Sequence, residues 1–286
     1  MSRIAYVNGL YVPHAEASVH IEDRGYQFAD GVYEVCEIRG GRMVDERRHM
    51  ERLVRSLGEL RIRLPMPLKA LAVVMRETIR RNRVRDGIVY LQVTRGVARR
   101  DHVFPAASVP PSIVVTARSS DPAKSDALAQ QGISIITLPD NRWDRVDIKT
   151  VGLLPNVLAK EAARAAGARE AWFIDNEGKV TEGGSTNAWI LTQDGVLVTR
   201  PAETGILRGI TRTVVLEVAA QHQIRVEERG FTVAEALGAK EAFITAASTV
   251  VIPVVKIDGV EVGEGRPGPV AKALRASFHK VAEISP

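Results

Sequence analysis

Cysteine is nearly absent from this 286-residue chain: Cys36 stands alone. A single thiol excludes an internal disulfide framework and a cysteine zinc cluster. Its setting in the apolar run VYEVCEI (32–38) points to inert packing, with no metal site implied. Aromatic residues are scarce at 5%, and no cluster of them is interleaved with lysine, which argues against a nucleic-acid-binding surface. No apolar run approaches the ~20 residues that cross a bilayer, and the opening MSRIAYVNGLYVPH lacks the apolar core of a signal peptide. A cytoplasmic enzyme with no membrane and no nucleic acid among its partners is the default expectation. Internal repeats and low-complexity tracts are also missing.

What is present is ordinary globular composition, 45% hydrophobic and 26% charged. The length suggests two domains or one large one. The net charge of +5 is uneven: residues 1–120 hold 20 basic against 13 acidic residues, and the remainder 19 against 21. A basic half suits small anionic ligands as well as nucleic acid. Most of the arginines (Arg47, Arg48, Arg55, Arg80, Arg81, Arg83) fall on amphipathic helices, where a solvated charged face accounts for them.

Along the chain, 3–12 reads as two strands around Asn8-Gly9, and 32–39 as a strand turned into a hairpin by Gly40-Gly41. Met50, Leu53, Val54, Leu57 and Leu60 recur at helical spacing, giving a helix over about 46–61. A second helix runs from about Pro67 to Val84, and strands follow at 88–94 and 113–117. The polar stretch RSSDPAKSDALAQQG (118–132) reads as a linker, with Pro122 breaking any helix. Beyond it come a strand at 133–138, a helix over about 154–166 ending near Gly167, strands at 170–174, 179–182 and 187–191, a helix from about Gly209 to His222, strands near 240–257, and a last helix from about Pro269. Mixed elements without strict alternation imply an α+β or mixed α/β fold. The expected division is a 1–118 N-terminal α/β domain, a 119–131 linker and a 132–286 C-terminal cofactor-binding domain, with a ligand site in the crevice between domains.

Four segments carry residue types suited to chemistry. Lys149 lies among Val146, Ile148, Val151 and Leu153; desolvation disfavours a charged amine, and a neutral amine attacks an aldehyde to form a Schiff base. TEGGSTN (181–187) places Glu182 before two glycines that allow close backbone approach; a carboxylate there would keep a ring nitrogen protonated. In ILRGITR (206–212), Gly209 precedes a helix whose free N–H groups and dipole favour a phosphate, with the Thr211 hydroxyl nearby. In VARRDHVFP (97–105), Arg100 and His102 project to one side if the loop is extended, and arginine's fork grips a carboxylate. Taken singly, each has a plainer reading: a solvent-facing lysine, a glycine turn, simple capping, an exposed basic loop.

Together they resemble the class IV (fold type IV) pyridoxal-phosphate aminotransferases, over essentially the whole chain and in order. The carriers are EDRGYQFADGVYEV (22–35), LQVTRG (91–96), the Arg100–His102 pair, DIK (147–149), LAKEAA (158–163), TEGGSTN and ILRGITR. The bacterial D-amino-acid branch resembles it most. The resemblance implies two domains with the cofactor in the interdomain cleft. It implies that Lys149 carries pyridoxal 5′-phosphate as a Schiff base and shuttles the proton, that Glu182 binds the pyridinium nitrogen, and that Arg52, Ile210 and Thr211 hold the phosphate. Leu207 would pack under the ring, and Tyr33, Arg100 and His102 would trap the substrate α-carboxylate. In the family the Arg100–His102 loop reaches in from a neighbouring subunit, so a homodimer is implied. The expected reaction moves an amino group from D-alanine or D-glutamate to 2-oxoglutarate or pyruvate.

One departure stands out. In ITAASTVVIPV (244–254), Ala246-Ala247 replaces the hydroxyl-bearing residues usual in the family's late loop, leaving Ala247 to contribute backbone N–H, or Thr245, Ser248 or Thr249 to supply a hydroxyl. Within the fold the rivals are branched-chain L-amino-acid aminotransferase, aminodeoxychorismate lyase and (R)-amine transaminase.

Overall fold

The structure, a computed structural model, describes residues 3–203 and 205–285. The chain divides into two compact units: 3–122 with 148–152 and 283–285, and 123–147 with 153–282.

In the first unit, the strands β1 (Ile4–Val7), β2 (Leu10–Pro13), β3 (Gly31–Arg39), β4 (Arg42–Met43), β5 (Gly87–Thr94) and β6 (Ser112–Ser119) form one antiparallel sheet in the order β2-β1-β6-β5-β3-β4. Helices α1 (Arg24–Phe28), α2 (Glu46–Glu59) and α3 (Leu68–Arg81) complete it. Side chains alternate across a strand, and β3 obeys this: Val32, Glu34, Cys36 and Ile38 are buried, while Tyr33, Val35 and Glu37 are less so. The buried set joins Leu91, Val93, Ile113 and Val115 with Met50, Leu53 and Leu57 of α2 and Leu71 and Met75 of α3 in one core. Cys36 is fully buried there, and burial holds its thiol well above the usual range. Residues 283–285 return to this unit, where Ser285 N–H donates to the Met43 carbonyl at 3.0 Å.

In the second unit, α4 (Pro122–Gln131) leads into β7 (Ile133–Pro139), α5 (Leu154–Ala165), β8 (Glu170–Ile174), β9 (Val180–Gly183), β10 (Asn187–Leu191), β11 (Leu197–Thr199), α6 (Ile210–Gln221), β12 (Val226–Glu228), α7 (Val233–Leu237), β13 (Glu241–Ala246), β14 (Val250–Ile257), β15 (Val260–Glu261) and α8 (Pro269–Val281). The sheet has nine strands in the order β12-β11-β10-β13-β14-β7-β8-β9, with β15 paired to β14. It is mixed: β11–β12, β14–β7 and β7–β8 are parallel. Strands buried on both faces read as continuous apolar runs, and β8 is one. Its Trp172 enters a core with Ile190, Phe231 and Ile252, while Ala171 and Phe173 meet Ala159 and Ala163 of α5.

Two expectations change. The 119–131 stretch is mostly helix, α4, and Pro122 is its first residue. Proline is tolerated at the first turn because its missing N–H would have no partner there, so it starts this helix instead of breaking it. The helix has no apolar stripe to mark it in the sequence and buries only Ala129. Residues 148–152 and 283–285, assigned from sequence to the C-terminal domain, cluster with the first unit.

Candidate active site

Lys149 is positioned by strand-like pairing. The segment 148–152 runs beside β3, with Val32 opposite Thr150. Tyr33 N–H donates to the Lys149 carbonyl and Val151 N–H to the Gly31 carbonyl, both at 3.0 Å. Ile148 is in the core, so its neighbour Lys149 is turned the other way. The Lys149 Nζ sits 4.1 Å from the centroid of the Tyr33 ring. Among the described residues its side chain has no hydrogen-bond or ion-pair partner, and neither has the Tyr33 hydroxyl. Tyr33 stacks on Tyr90 at 5.7 Å. Burial, with Tyr33 beside it, pushes the Tyr90 hydroxyl up to about 12, and that hydroxyl donates to Gln92 at 2.7 Å. A cavity of about 340 Å³ opens in this unit, lined by Asp23, Gly25, Tyr26, Gln92, Thr94 and Val151 among others.

On the opposite face of β3, Glu34 is buried among apolar side chains, where a carboxylate needs a partner. Arg52 of α2 supplies a two-pronged one, Nε to Oε1 and Nη2 to Oε2, both 2.8 Å. His49 Nδ1 lies 2.8 Å from Oε2. Burial opposes the Glu34 charge, but Arg52 and His49 outweigh it and hold the carboxyl at about 2. Burial lowers His49 against the pull of Glu34. An ionised carboxylate only accepts, so the His49 Nδ1 carries the proton.

Arg100 and His102 lie on the exposed loop after β5 and are brought to one ring, Phe28 at the end of α1. The Arg100 guanidinium is 4.7 Å from its centroid and the His102 ring 5.5 Å. Among the described residues neither side chain has a hydrogen-bond or ion-pair partner.

In the second unit, β9 delivers Glu182 to a buried position. Its Oε1 accepts from Arg142 Nη1 at 2.5 Å, and its Oε2 from Asn187 Nδ2 at 3.0 Å and Leu207 N–H at 3.2 Å. Arg142 clasps Asp140 through Nε (2.9 Å) and Nη2 (2.7 Å). Burial works against both charges, but each stabilises the other, so Arg142 is raised and Asp140 lowered. Asn187 also donates to the Leu207 carbonyl at 3.0 Å, tying Leu207 to Glu182 by two routes. A Cβ on Gly209 would fall 2.0 Å from Asn187 Oδ1, so only glycine fits at the start of α6. That glycine gives α6 no side-chain cap, which leaves the first-turn N–H groups, at Ile210 and Thr211, for an outside acceptor. The Thr211 hydroxyl has no hydrogen-bond partner among the described residues.

The late loop is a tight turn after β13, with Thr249 N–H on the Ala246 carbonyl at 3.2 Å. Val250 has φ +62°, a strained value for a β-branched residue. Arg275 of α8 braces the turn by donating to the Thr249 and Val251 carbonyls at 2.5 and 2.9 Å. Thr245 is buried in the sheet, where its hydroxyl accepts from Trp189 Nε1 at 3.0 Å.

Against this geometry, comparison with known proteins is decisive for the family: the model for amino-transferase class IV matches residues 31–257. The chain belongs to the class IV aminotransferases. D-alanine aminotransferase of Staphylococcus haemolyticus is 41% identical over 279 residues, 97% of each chain. That of Bacillus licheniformis is 43% identical over 271 residues, 95% of this chain and 94% of its own. Among solved structures, the branched-chain amino acid aminotransferase from Escherichia coli has a TM-score of 0.87 at 25% identity, covering 98% of this chain and 94% of that one. This class IV aminotransferase therefore has the two-domain, mixed α and β fold expected. Among the described residues no helix is long and apolar enough to cross a membrane, and no group of three or more His, Cys, Asp or Glu could hold a metal.

Sequence reasoning missed Glu34, His49, Phe28, Arg142, Asn187 and Arg275. The alternation of β3 could have flagged Glu34, a carboxylate at an inward position between Val32 and Cys36. The others depend on contacts between distant segments and left no local pattern.

Proposed function

We propose that this aminotransferase moves amino groups from D-amino acids, of the D-alanine or D-glutamate type, to 2-oxo acids such as pyruvate and 2-oxoglutarate, with pyridoxal 5′-phosphate bound at Lys149. One observation carries the reading. In a chain dense with ion pairs, the side chains of Lys149, Tyr33, Arg100, His102 and Thr211 have no hydrogen-bond or ion-pair partner among the described residues. The donor set suits the cofactor: an amine against an aromatic ring, a buried carboxylate held from three sides, and a helix start without a side-chain cap. When bound, pyridoxal phosphate supplies an aldehyde that accepts the amino group and a ring that withdraws electrons from the substrate Cα.

The protein does the rest. Lys149 Nζ would hold the cofactor at its aldehyde carbon and would move the proton at the substrate Cα. Glu182 holds a proton on the ring nitrogen. Leu207 packs against the ring. Arg52, the Ile210 N–H, Thr211 and the Ala247 backbone bind the phosphate. Tyr33, Arg100 and His102 bind the α-carboxylate, and fixing that group while Cα–H faces Lys149 selects one enantiomer. A homodimer is part of the proposal, with the Arg100–His102 loop serving the neighbouring subunit. The exposed apolar side chains Ile21, Tyr26, Val103 and Phe104 around that loop support a covering partner.

The competing reading is a branched-chain L-amino-acid enzyme, favoured by the structural similarity at a TM-score of 0.87. Paired D- and L-amino acids with 2-oxoglutarate separate the two: D-alanine or D-glutamate should turn over fastest. L-leucine or L-valine well ahead of every D-amino acid would replace the proposal with the branched-chain reading. Borohydride reduction followed by peptide mass spectrometry should find the pyridoxyl group on Lys149; finding it on Lys160 or Lys179 would overturn the assignment.

A further inference from the structure

We infer that Phe28 is a positioning residue: its ring holds Arg100 and His102 side by side, so that α1 sets the geometry of the carboxylate trap and through it the affinity for amino-acid substrates. This rests on the reading of Arg100 and His102 as carboxylate ligands. The need for such a residue is visible in the loop itself. Among the described residues, no backbone–backbone hydrogen bond is made by 99–105, so side chains must fix this stretch. The contacts available are few. Arg100 and His102 meet the Phe28 ring at 4.7 and 5.5 Å. Arg24 Nη1 donates to the Asp101 carbonyl, between them, at 2.6 Å. Further along, Phe104 lies 3.6 Å from the Arg95 guanidinium.

Charge explains why an aromatic ring stands here. A guanidinium is attracted to the ring's negative face, and stacking leaves the N–H groups at its edge for a carboxylate fork. An acidic residue in the same place would hold Arg100 more tightly but would occupy those N–H groups. Arg24 also lies 4.7 Å from the Phe28 centroid, but its charge is met by Asp30 at 2.9 Å, and Asp30 pairs with Arg95 at 2.7 Å as well. The second cation at the ring is thus ion-paired, through a carboxylate it shares with Arg95, whereas Arg100 has no ion-pair partner among the described residues and keeps its N–H groups for the substrate.

The test compares holoenzyme variants Phe28→Leu, Phe28→Tyr and Arg100→Ala by steady-state kinetics with the best amino-acid donor, alongside the cofactor absorption spectrum and melting temperature. Phe28→Leu should raise KM roughly threefold to tenfold with kcat within about twofold of the wild type and the cofactor spectrum unchanged. Phe28→Tyr keeps the ring and should restore KM. Arg100→Ala should raise KM roughly thirtyfold or more. If Phe28→Leu fails to fold, Phe28→Met takes its place with the same expectations. A wild-type KM in Phe28→Leu beside an impaired Arg100→Ala overturns the inference alone. Wild-type KM in both overturns the carboxylate reading and the inference with it. A raised KM accompanied by a drop in kcat and cofactor content, or failure of Tyr to rescue, assigns Phe28 to packing and overturns the positioning role.

Discussion

Two buried glutamates, one in each unit, meet arginine in different ways. Glu34 has both oxygens held by the fork of one residue, Arg52, with His49 added. Glu182 accepts, among the described residues, from three separate segments: Arg142, Asn187 and the Leu207 backbone. Arg142 gives its fork to Asp140. A chelated pair satisfies itself, and its main consequence is that neither member can be removed without stranding a buried charge. A carboxylate fixed from three directions is oriented, as an electrostatic partner for a ring nitrogen must be. On the proposed reading of the site, Glu34 serves the fold by holding Arg52 and Glu182 serves the chemistry.

Substitution should expose that difference. Glu34→Gln deprives Arg52 of its buried countercharge and should cost roughly 3–5 kcal/mol of stability, read as a fall in denaturation midpoint. A wild-type midpoint would remove the distinction. Glu182→Gln should do the reverse. It keeps side-chain volume and leaves Arg142 with Asp140, so the midpoint should fall less than in Glu34→Gln, while single-turnover proton transfer slows roughly 10²–10³-fold. Unchanged proton transfer with cofactor retained would deny Glu182 its role.

Acid sharpens the comparison further. The Glu34 carboxyl is held at about 2 against an ordinary 4.5. A depressed carboxylate contributes stability that is complete above its unfolded value and is lost as pH falls toward the folded one. Equilibrium unfolding should therefore lose about 3 kcal/mol between roughly pH 4.5 and 2 from this group. His49, lowered from 6.5 by burial, adds loss of the same sign that begins below about pH 6.5. In Glu34→Gln the lower step should vanish; its persistence would assign acid sensitivity elsewhere.

How much could be read without coordinates varied with the range of the contact. The helix bearing Arg52 was legible because Met50, Leu53 and Leu57 repeat every turn. The strands β3 and β10 were legible because turns bound them. In contrast β11 and β12, three residues each, are too short for any period and exist because each pairs with the other in register. Helix α4 leaves no such trace, because its pattern is polar and a proline in a polar run reads as a breaker. Among the candidate residues, Lys149, Glu182 and Thr211 sit in short local motifs. Glu34 and Arg52 are 18 apart in sequence and Arg142 and Glu182 are 40 apart, so nothing in either neighbourhood announced the pairing.

The sequence by itself determined the family, the order of the elements and the identity of the groups with chemistry to offer, because backbone periodicity, turn residues and motifs are properties of adjacent residues. Only the tertiary structure decided which of those groups are committed. It set Arg52 against Glu34, Arg142 against Asp140 and Glu182, and Thr245 under Trp189, while leaving Lys149 over an aromatic ring and Arg100 against Phe28. The physical reason is that a buried charge or hydroxyl must find its partner wherever packing brings one, and packing joins residues that the chain keeps far apart.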